Sequence, residues 1–158
     1  MRCNRRMAQM FSECIGPPSD LQPALQVLLD PRFTRLEKCI LLRSQTGANA
    51  EASRLSFPDD TGFEAYVNHI HLEDYVDASS GVCVLLEQAQ AFGNELARIR
   101  SREGITEPFL FVIGAEGADV SVRFHVIRDG EDWLSKDLDS YEDAVAAFCI
   151  TDAAPSLS

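Results

Sequence analysis

His69, His71 and His125, with Glu73 and Asp74, are the residues of this 158-residue sequence whose types could hold a transition metal. On a strand, His69 and His71 would share a face. Two residues apart on a helix they point nearly opposite ways, and a helix is expected to reach at least His69. The expectation is therefore that one histidine packs or caps the helix end and the other is solvated, with no metal and no other cofactor bound. A metal-dependent enzyme using His69, His71, His125 and Glu73 stands as the alternative. Hydrolytic chemistry has less to build on: no G-x-S-x-G elbow surrounds a serine, and no cysteine has a recognisable catalytic context. Gly114-Ala115-Glu116-Gly117 is short, acidic and set between two strands, whereas a phosphate cradle needs a helix N-terminus behind it.

The five cysteines, Cys3, Cys14, Cys39, Cys83 and Cys149, are odd in number, scattered, and contain no C-x-x-C pair, which reads as reduced thiols in a cytoplasmic protein. Cys83 and Cys149 lie within apolar runs, where buried, unreactive thiols are expected. The start MRCNRRMAQMF lacks the apolar stretch of a signal peptide, and no run approaches the roughly 18 apolar residues that cross a bilayer.

Charge carries the strongest signal. The formal net charge is −11, which argues against nucleic acid and acidic membrane surfaces as partners, because phosphate contacts need a basic surface. No Lys or Arg occurs from Leu55 to Ala97, a stretch that holds Glu73, Asp74 and Asp77. A second acidic stretch, Asp129–Asp143, sets Asp129, Glu131, Asp132, Asp137, Asp139, Glu142 and Asp143 around the single Lys136 and interleaves Trp133, Leu134, Leu138 and Tyr141. Aromatic anchors ringed by carboxylates suit a basic protein partner: the rings supply contact area, and the acids pair with Arg and Lys and speed association. The bland alternative is that Trp133, Leu134 and Leu138 turn inward while the acids merely keep the surface soluble.

The elements that must position these residues follow from periodicity. A short helix is expected around Leu21–Leu29, capped by Asp20 and broken at Asp30-Pro31. Cys39–Leu42 and Arg54–Phe57 read as a hairpin turning through Thr46–Asn49, although Phe33, Leu36 and Ile40 also fit helical spacing. Thr61-Gly62-Phe63-Glu64 matches a capping box, so a helix should begin at Gly62 and carry Phe63, Val67 and Ile70 inward. Val82, Leu85, Leu86, Ala89, Phe92, Leu96 and Ile99 predict a long helix over about Gly81–Ser101, after the capping candidates Ser79 and Ser80. Phe109–Ile113, a turn in Gly114–Ala118, and the alternation of Val120, Val122, Phe124 and Val126 with Ser121, Arg123 and His125 predict a hairpin. A turn at Asp129-Gly130 and a closing strand over Ala144–Ile150 complete the set. The fold class is α+β: one domain over residues 19–152, an antiparallel sheet of about four to five strands with helices packed on one face. Residues 1–18 are expected to be a flexible tail and 153–158 a second one.

The blocks Phe63-Glu64-x-x-Val67-Asn68-His69-Ile70-His71-Leu72-Glu73-Asp74-Tyr75 and Val122-Arg123-Phe124-His125-x-x-Arg128-x-Gly130-Glu131-x-Trp133-Leu134, with Asp137-Leu138-x-x-Tyr141 and a long helix between, resemble small acidic immunity proteins of bacterial polymorphic-toxin and contact-dependent growth inhibition systems. The resemblance spans about residues 55–150. It implies a cytoplasmic, non-enzymatic protein that binds one cognate toxin domain and blocks it; the acidic-aromatic stretch points to a basic nuclease as that domain. The acidic-aromatic reading then places partner contacts at Asp129, Glu131, Asp132, Trp133, Asp137, Asp139 and Tyr141, with Glu73, Asp74 and Asp77 as a second patch. An adaptor or scaffold without inhibitory role is the third reading.

Overall fold

The computed structural model describes residues 1–151 except 15, 17, 18, 31, 50, 78 and 80, so the expected 153–158 tail and the capping candidate Ser80 lie outside the described residues. The chain is α+β, as its periodicities predict. In order, the elements are β1 (Arg2–Cys3), α1 (Arg5–Glu13), α2 (Pro23–Leu29), β2 (Phe33–Leu36), β3 (Cys39–Leu42), α3 (Arg43–Ala48), α4 (Asp60–Val67), β4 (Ile70–His71), α5 (Gly81–Arg102), β5 (Phe109–Glu116), β6 (Asp119–Val126) and β7 (Ala144–Ile150). Five strands form one antiparallel sheet in the order β1-β7-β5-β6-β4, and β2 pairs with β3 in a separate ribbon.

The 22-residue α5 buries Leu85, Leu86, Ala89, Phe92, Leu96 and Ala97, a stripe at three- and four-residue steps. That stripe meets the inner face of the sheet, where Phe109, Phe111, Ile113, Val120, Val122, Phe124 and Phe148 join one core cluster. Gly93 is what allows the close approach: a Cβ there would lie 2.8 Å from Phe111 Cε1. Alternation along β5, β6 and β7 sends Val112, Gly114, Ser121, Arg123, His125, Val145 and Ala147 to the opposite, outer face. Helices leave part of that face uncovered. The segment between β6 and β7 folds over the rest, setting Leu134 and Leu138 on Val112, Val145 and Ala147 in a second, smaller cluster.

Two open strand edges are bridged by side chains instead of backbone. Glu64, with no exposed surface, accepts from the amides of Ile40 in β3 and Val126 in β6 and from both terminal nitrogens of Arg128. Asn68, also fully buried and four residues on, donates to the carbonyls of Ile40 and Phe124 and accepts from the Leu42 amide. One helical turn separates the two residues, so both reach the same seam and satisfy groups that a strand pairing would otherwise have used.

Several sequence-based expectations are corrected. Glu64 is spent on that seam, so no capping box forms: α4 begins at Asp60, its cap is Asp59, whose carboxylate accepts from the Gly62 amide, and Thr61 bonds elsewhere. Ile70 belongs to β4, beyond the helix that was expected to carry it. The hairpin partner of Cys39–Leu42 is the preceding segment Phe33–Leu36, while Arg43–Ala48 and Arg54–Ser56 are helical. Its turn passes through Glu37 at φ 54°, a left-handed residue that no glycine or asparagine flags in the sequence. Gln22, not Asp20, precedes α2, and Gly114 lies within β5.

The largest difference concerns the beginning of the chain. In place of a loose tail, Arg2 and Cys3 extend the sheet by pairing with Ala147 and Ala146 of β7. Asn4 caps α1 through the Met7 amide, accepts from the Val145 amide and donates to the carbonyls of Asp143 and Leu138, while Met7 is fully buried. A strand of two residues has no periodicity to betray it. The end of α1 is joined to the start of α5 by a Cys14–Cys83 disulfide spanning 69 residues, so these two are not reduced thiols. Closing a loop of that length stabilises the fold by about 4 kcal/mol in the chain-entropy account. Cys149 is exposed, contrary to its apolar neighbours, whereas Cys39 is buried and its thiol pKa is pushed up to about 12 by burial and by the carboxylates of Glu64 and Asp60.

Candidate functional site

The uncovered part of the outer sheet face forms a groove of about 400 Å³. Its floor is Val112, Gly114, Ser121, Arg123 and Val145 from the three central strands, and the absence of a side chain at Gly114 deepens it. One wall comes from Trp133, Leu134, Tyr141 and Asp143 in the segment after β6. The other comes from His69, His71 and Glu73 around β4. Glu116 and Asp119 close the end at the β5–β6 turn.

Each wall is held by its own hydrogen bonds. Trp133 is half-buried, with the Arg123 guanidinium 4.6 Å above its ring centroid and the His125 ring edge-on at 6.3 Å. The Tyr141 hydroxyl accepts from the Ser135 amide, which ties the aromatic wall to itself. Opposite, β4 replaces the helix that was expected at His69, so His69 and His71 do share a face, their rings 4.4 Å apart. His71 Nδ1 lies 3.1 Å from Glu73 Oε1, and the other Glu73 oxygen accepts from the Val120 amide. His69 Nε2 accepts from Arg123 Nη2 at 2.9 Å. Burial first, and the neighbouring Arg123 charge second, push the His69 pKa down to about 4, so the ring is neutral at pH 7 and suited to that acceptor role.

The third histidine does not join them. His125 is buried beside Trp133, with Nδ1 bonded to the Val126 carbonyl. Among the described residues no group of three His, Cys, Asp or Glu side chains is placed to hold a metal ion. Ser121 faces His71 in register across β4 and β6, yet its hydroxyl makes no hydrogen bond to that ring, so the Ser121, His71 and Glu73 row lacks the nucleophile–base contact of a hydrolytic triad.

Of the ten residues expected to contact a partner, Trp133, Tyr141 and Glu73 line the groove. Others are engaged within the chain. Glu131 accepts from both the amide and the hydroxyl of Thr61, which anchors the segment to α4. Asp139 pairs with the Arg5 backbone and guanidinium, which lowers its pKa. Asp137 accepts from the Asp139 amide and Asp77 from the Ser79 amide. Asp129, Asp132 and Asp74 are exposed and outside the groove, Asp132 lying 4.0 Å from Lys136. Sequence reasoning missed Arg123, Ser121, Glu116, Asp119 and Asp143 as groove residues. The signal for the first two was present: they are the polar members of the β6 alternation, opposite its buried valines.

No helix among the described residues is long and apolar enough to cross a membrane. A family model described as Uncharacterized protein PM0498 family matches residues 2–156. No curated protein and no solved structure matches the chain.

Proposed function

The chain belongs to the PM0498 family, and from its own geometry we propose that it is a non-catalytic binding protein of the immunity type, which seats a basic toxin domain on the outer-face groove. One observation carries this reading: a groove walled by Trp133 and Tyr141 and rimmed by Glu73, Glu116, Asp119 and Asp143 opens on the sheet face that helices leave bare. Rigid aromatic rings provide contact area at small entropic cost, and the carboxylates complement a positive partner and raise its association rate. A nuclease domain, whose own basic groove is built for phosphate, is the preferred partner class.

The binding surface proposed here differs in composition from the ten residues first suggested by sequence. Trp133, Tyr141 and Glu73 stay at its centre, and the exposed Asp129, Asp132, Asp137 and Asp74 act at longer range through their charge. A cytoplasmic site of action belongs to the same proposal, and the Cys14–Cys83 disulfide of the structure counts against it, because disulfides persist in oxidising compartments and a reducing one would open the bridge to a dithiol. Alkylation of the protein in intact cells, followed by mass analysis, reads that state directly.

The test is growth rescue. The chain is coexpressed with a candidate toxin domain, taken from the C-terminus of any secreted protein that the neighbouring genes encode, and the two are then mixed in purified form. Wild type should restore growth and bind stoichiometrically, whereas Trp133→Ala with Asp143→Lys should do neither while keeping the wild-type fold. A folded wild-type chain that neither rescues nor binds would favour the adaptor reading. A gene neighbourhood of metabolic enzymes would do the same for the enzyme reading.

A further inference from the structure

Arg123 stands at the floor of the groove with its charge unbalanced. Its neighbours there are the neutral His69 ring, 2.9 Å from Nη2, and the Trp133 π face. Among the described residues it forms no ion pair, and burial is the one influence on its pKa, which it lowers. Other arginines of this chain are treated differently: Arg128 is clasped by Glu64, Arg54 by Asp60 and Arg35 by both oxygens of Glu107. A half-buried cation without an anion is costly, and a ligand that brings the anion recovers that cost on binding.

We propose that Arg123 is a receptor for a single carboxylate, presented by the polypeptide that occupies the groove. The guanidinium carbon lies 4.6 Å over the Trp133 ring and one terminal nitrogen is on His69, and the planar two-oxygen geometry of a carboxylate matches the fork formed by its remaining N–H donors. The rim decides what surrounds it. Glu73, Glu116, Asp119 and Asp143 repel a phosphate dianion or a run of acids, but they favour one carboxylate flanked by Lys or Arg. The partner segment is thus an acidic side chain set among basic ones. This inference rests on the groove being a partner seat, and it names the group that enters it.

Trp133 is the single tryptophan of the chain, so its fluorescence reports on the groove directly. At fixed ionic strength, the full chain is titrated with an end-blocked Lys-Glu-Lys peptide, its Lys-Gln-Lys counterpart and inorganic phosphate. The Glu peptide should give a saturable change, the Gln peptide should bind about tenfold more weakly, and phosphate should bind no better than the Gln peptide. Arg123→Gln should erase the preference for Glu over Gln, and Arg123→Lys, which keeps charge but loses the fork, should reduce it. Equal binding of the two peptides, no saturable change with either, or a stronger response to phosphate overturns the proposal. So does a folded Arg123→Gln variant that still discriminates. If that variant does not fold, the wild-type peptide pair decides alone. A toxin domain that binds wild type and Arg123→Gln equally would remove the carboxylate and leave the docking reading standing. Discrimination between the peptides without any toxin binding would do the reverse.

Discussion

The two faces of the five-stranded sheet are made by the same three strands, yet they treat polar groups in opposite ways. Toward α5 the strands present Phe109, Phe111, Phe124 and Phe148, with Phe111 against Gly93 and the buried Arg100 of α5 over the Phe109 ring. On the outer side the alternate positions hold Ser121, Arg123 and His125 beside valines and a glycine, under a wall that buries His125 but leaves Ser121 and Arg123 partly exposed in the groove. The inner face is closed by shape, and small changes of volume are felt there. The outer face is held open by hydrogen bonds that fix Tyr141 and Glu73 and by ring contacts that hold Trp133 at its margins, so its residues can change with less effect on folding. Stability is concentrated on one side of the sheet, and the proposed recognition lies on the other.

That division is open to direct attack, beginning with the inner side. Phe124 stacks on Phe109 at 5.1 Å and meets Phe33 edge-on, so Phe124→Ala should cost about 3–5 kcal/mol, read as a lowered denaturation midpoint. Glu64→Gln breaks the seam that joins the two sheets: one acceptor becomes a donor facing amide and guanidinium donors, and Arg128 loses its counter-charge. The expected loss is about 3 kcal/mol in urea unfolding. A loss below that of any outer-face variant would erase the contrast. Trp133→Ala, on the outer side, should cost only about 1–2 kcal/mol for its half-buried ring while abolishing toxin binding and rescue.

A pH titration sharpens the contrast further. The folded-state pKa of His69, near 4, lies below the ordinary value of 6.5, so the unfolded chain takes up this proton first as pH falls. The stability contributed by the neutral ring is therefore complete above about pH 6.5 and is lost between there and pH 4. Urea midpoints measured across this window for wild type and His69→Gln should converge as pH falls, the variant keeping a smaller slope from the buried His125, whose pKa burial also lowers. Smallest of all, Asp132→Asn should change stability by less than about 0.5 kcal/mol, because Asp132 is exposed and its Lys136 contact is loose; a larger loss would give that acid a structural role it lacks in the fold.

How much of this was readable without coordinates depends on element length. The α5 stripe and the β5–β7 alternation extend over seven or more residues, long enough for a period to declare itself. The strands β1 and β4 have two residues each, and no period exists at that length. Their loss misplaced the beginning of the chain and put His69 on a helix. Glu64 carried a misleading local signal, since the spacing from Thr61 fitted a cap while its true partners lie in three other segments. At the site, Trp133 and Tyr141 stood out because their acidic setting is unusual. Arg123 did not, because a charged residue on the polar side of a strand ordinarily faces solvent, and only the fold of the segment after β6 reveals that Trp133 covers it.

Asn4 gives the molecule an unexpected lever. Its amide holds the carbonyls of Leu138 and Asp143, so the far end of the aromatic wall hangs from a residue near the opposite terminus of the polypeptide. The same residue starts α1, whose other end is bolted to α5 through sulfur. Losing Asn4, by substitution or by a start at Met7, would therefore be felt more than a hundred residues downstream, and any version used for binding work has to retain it.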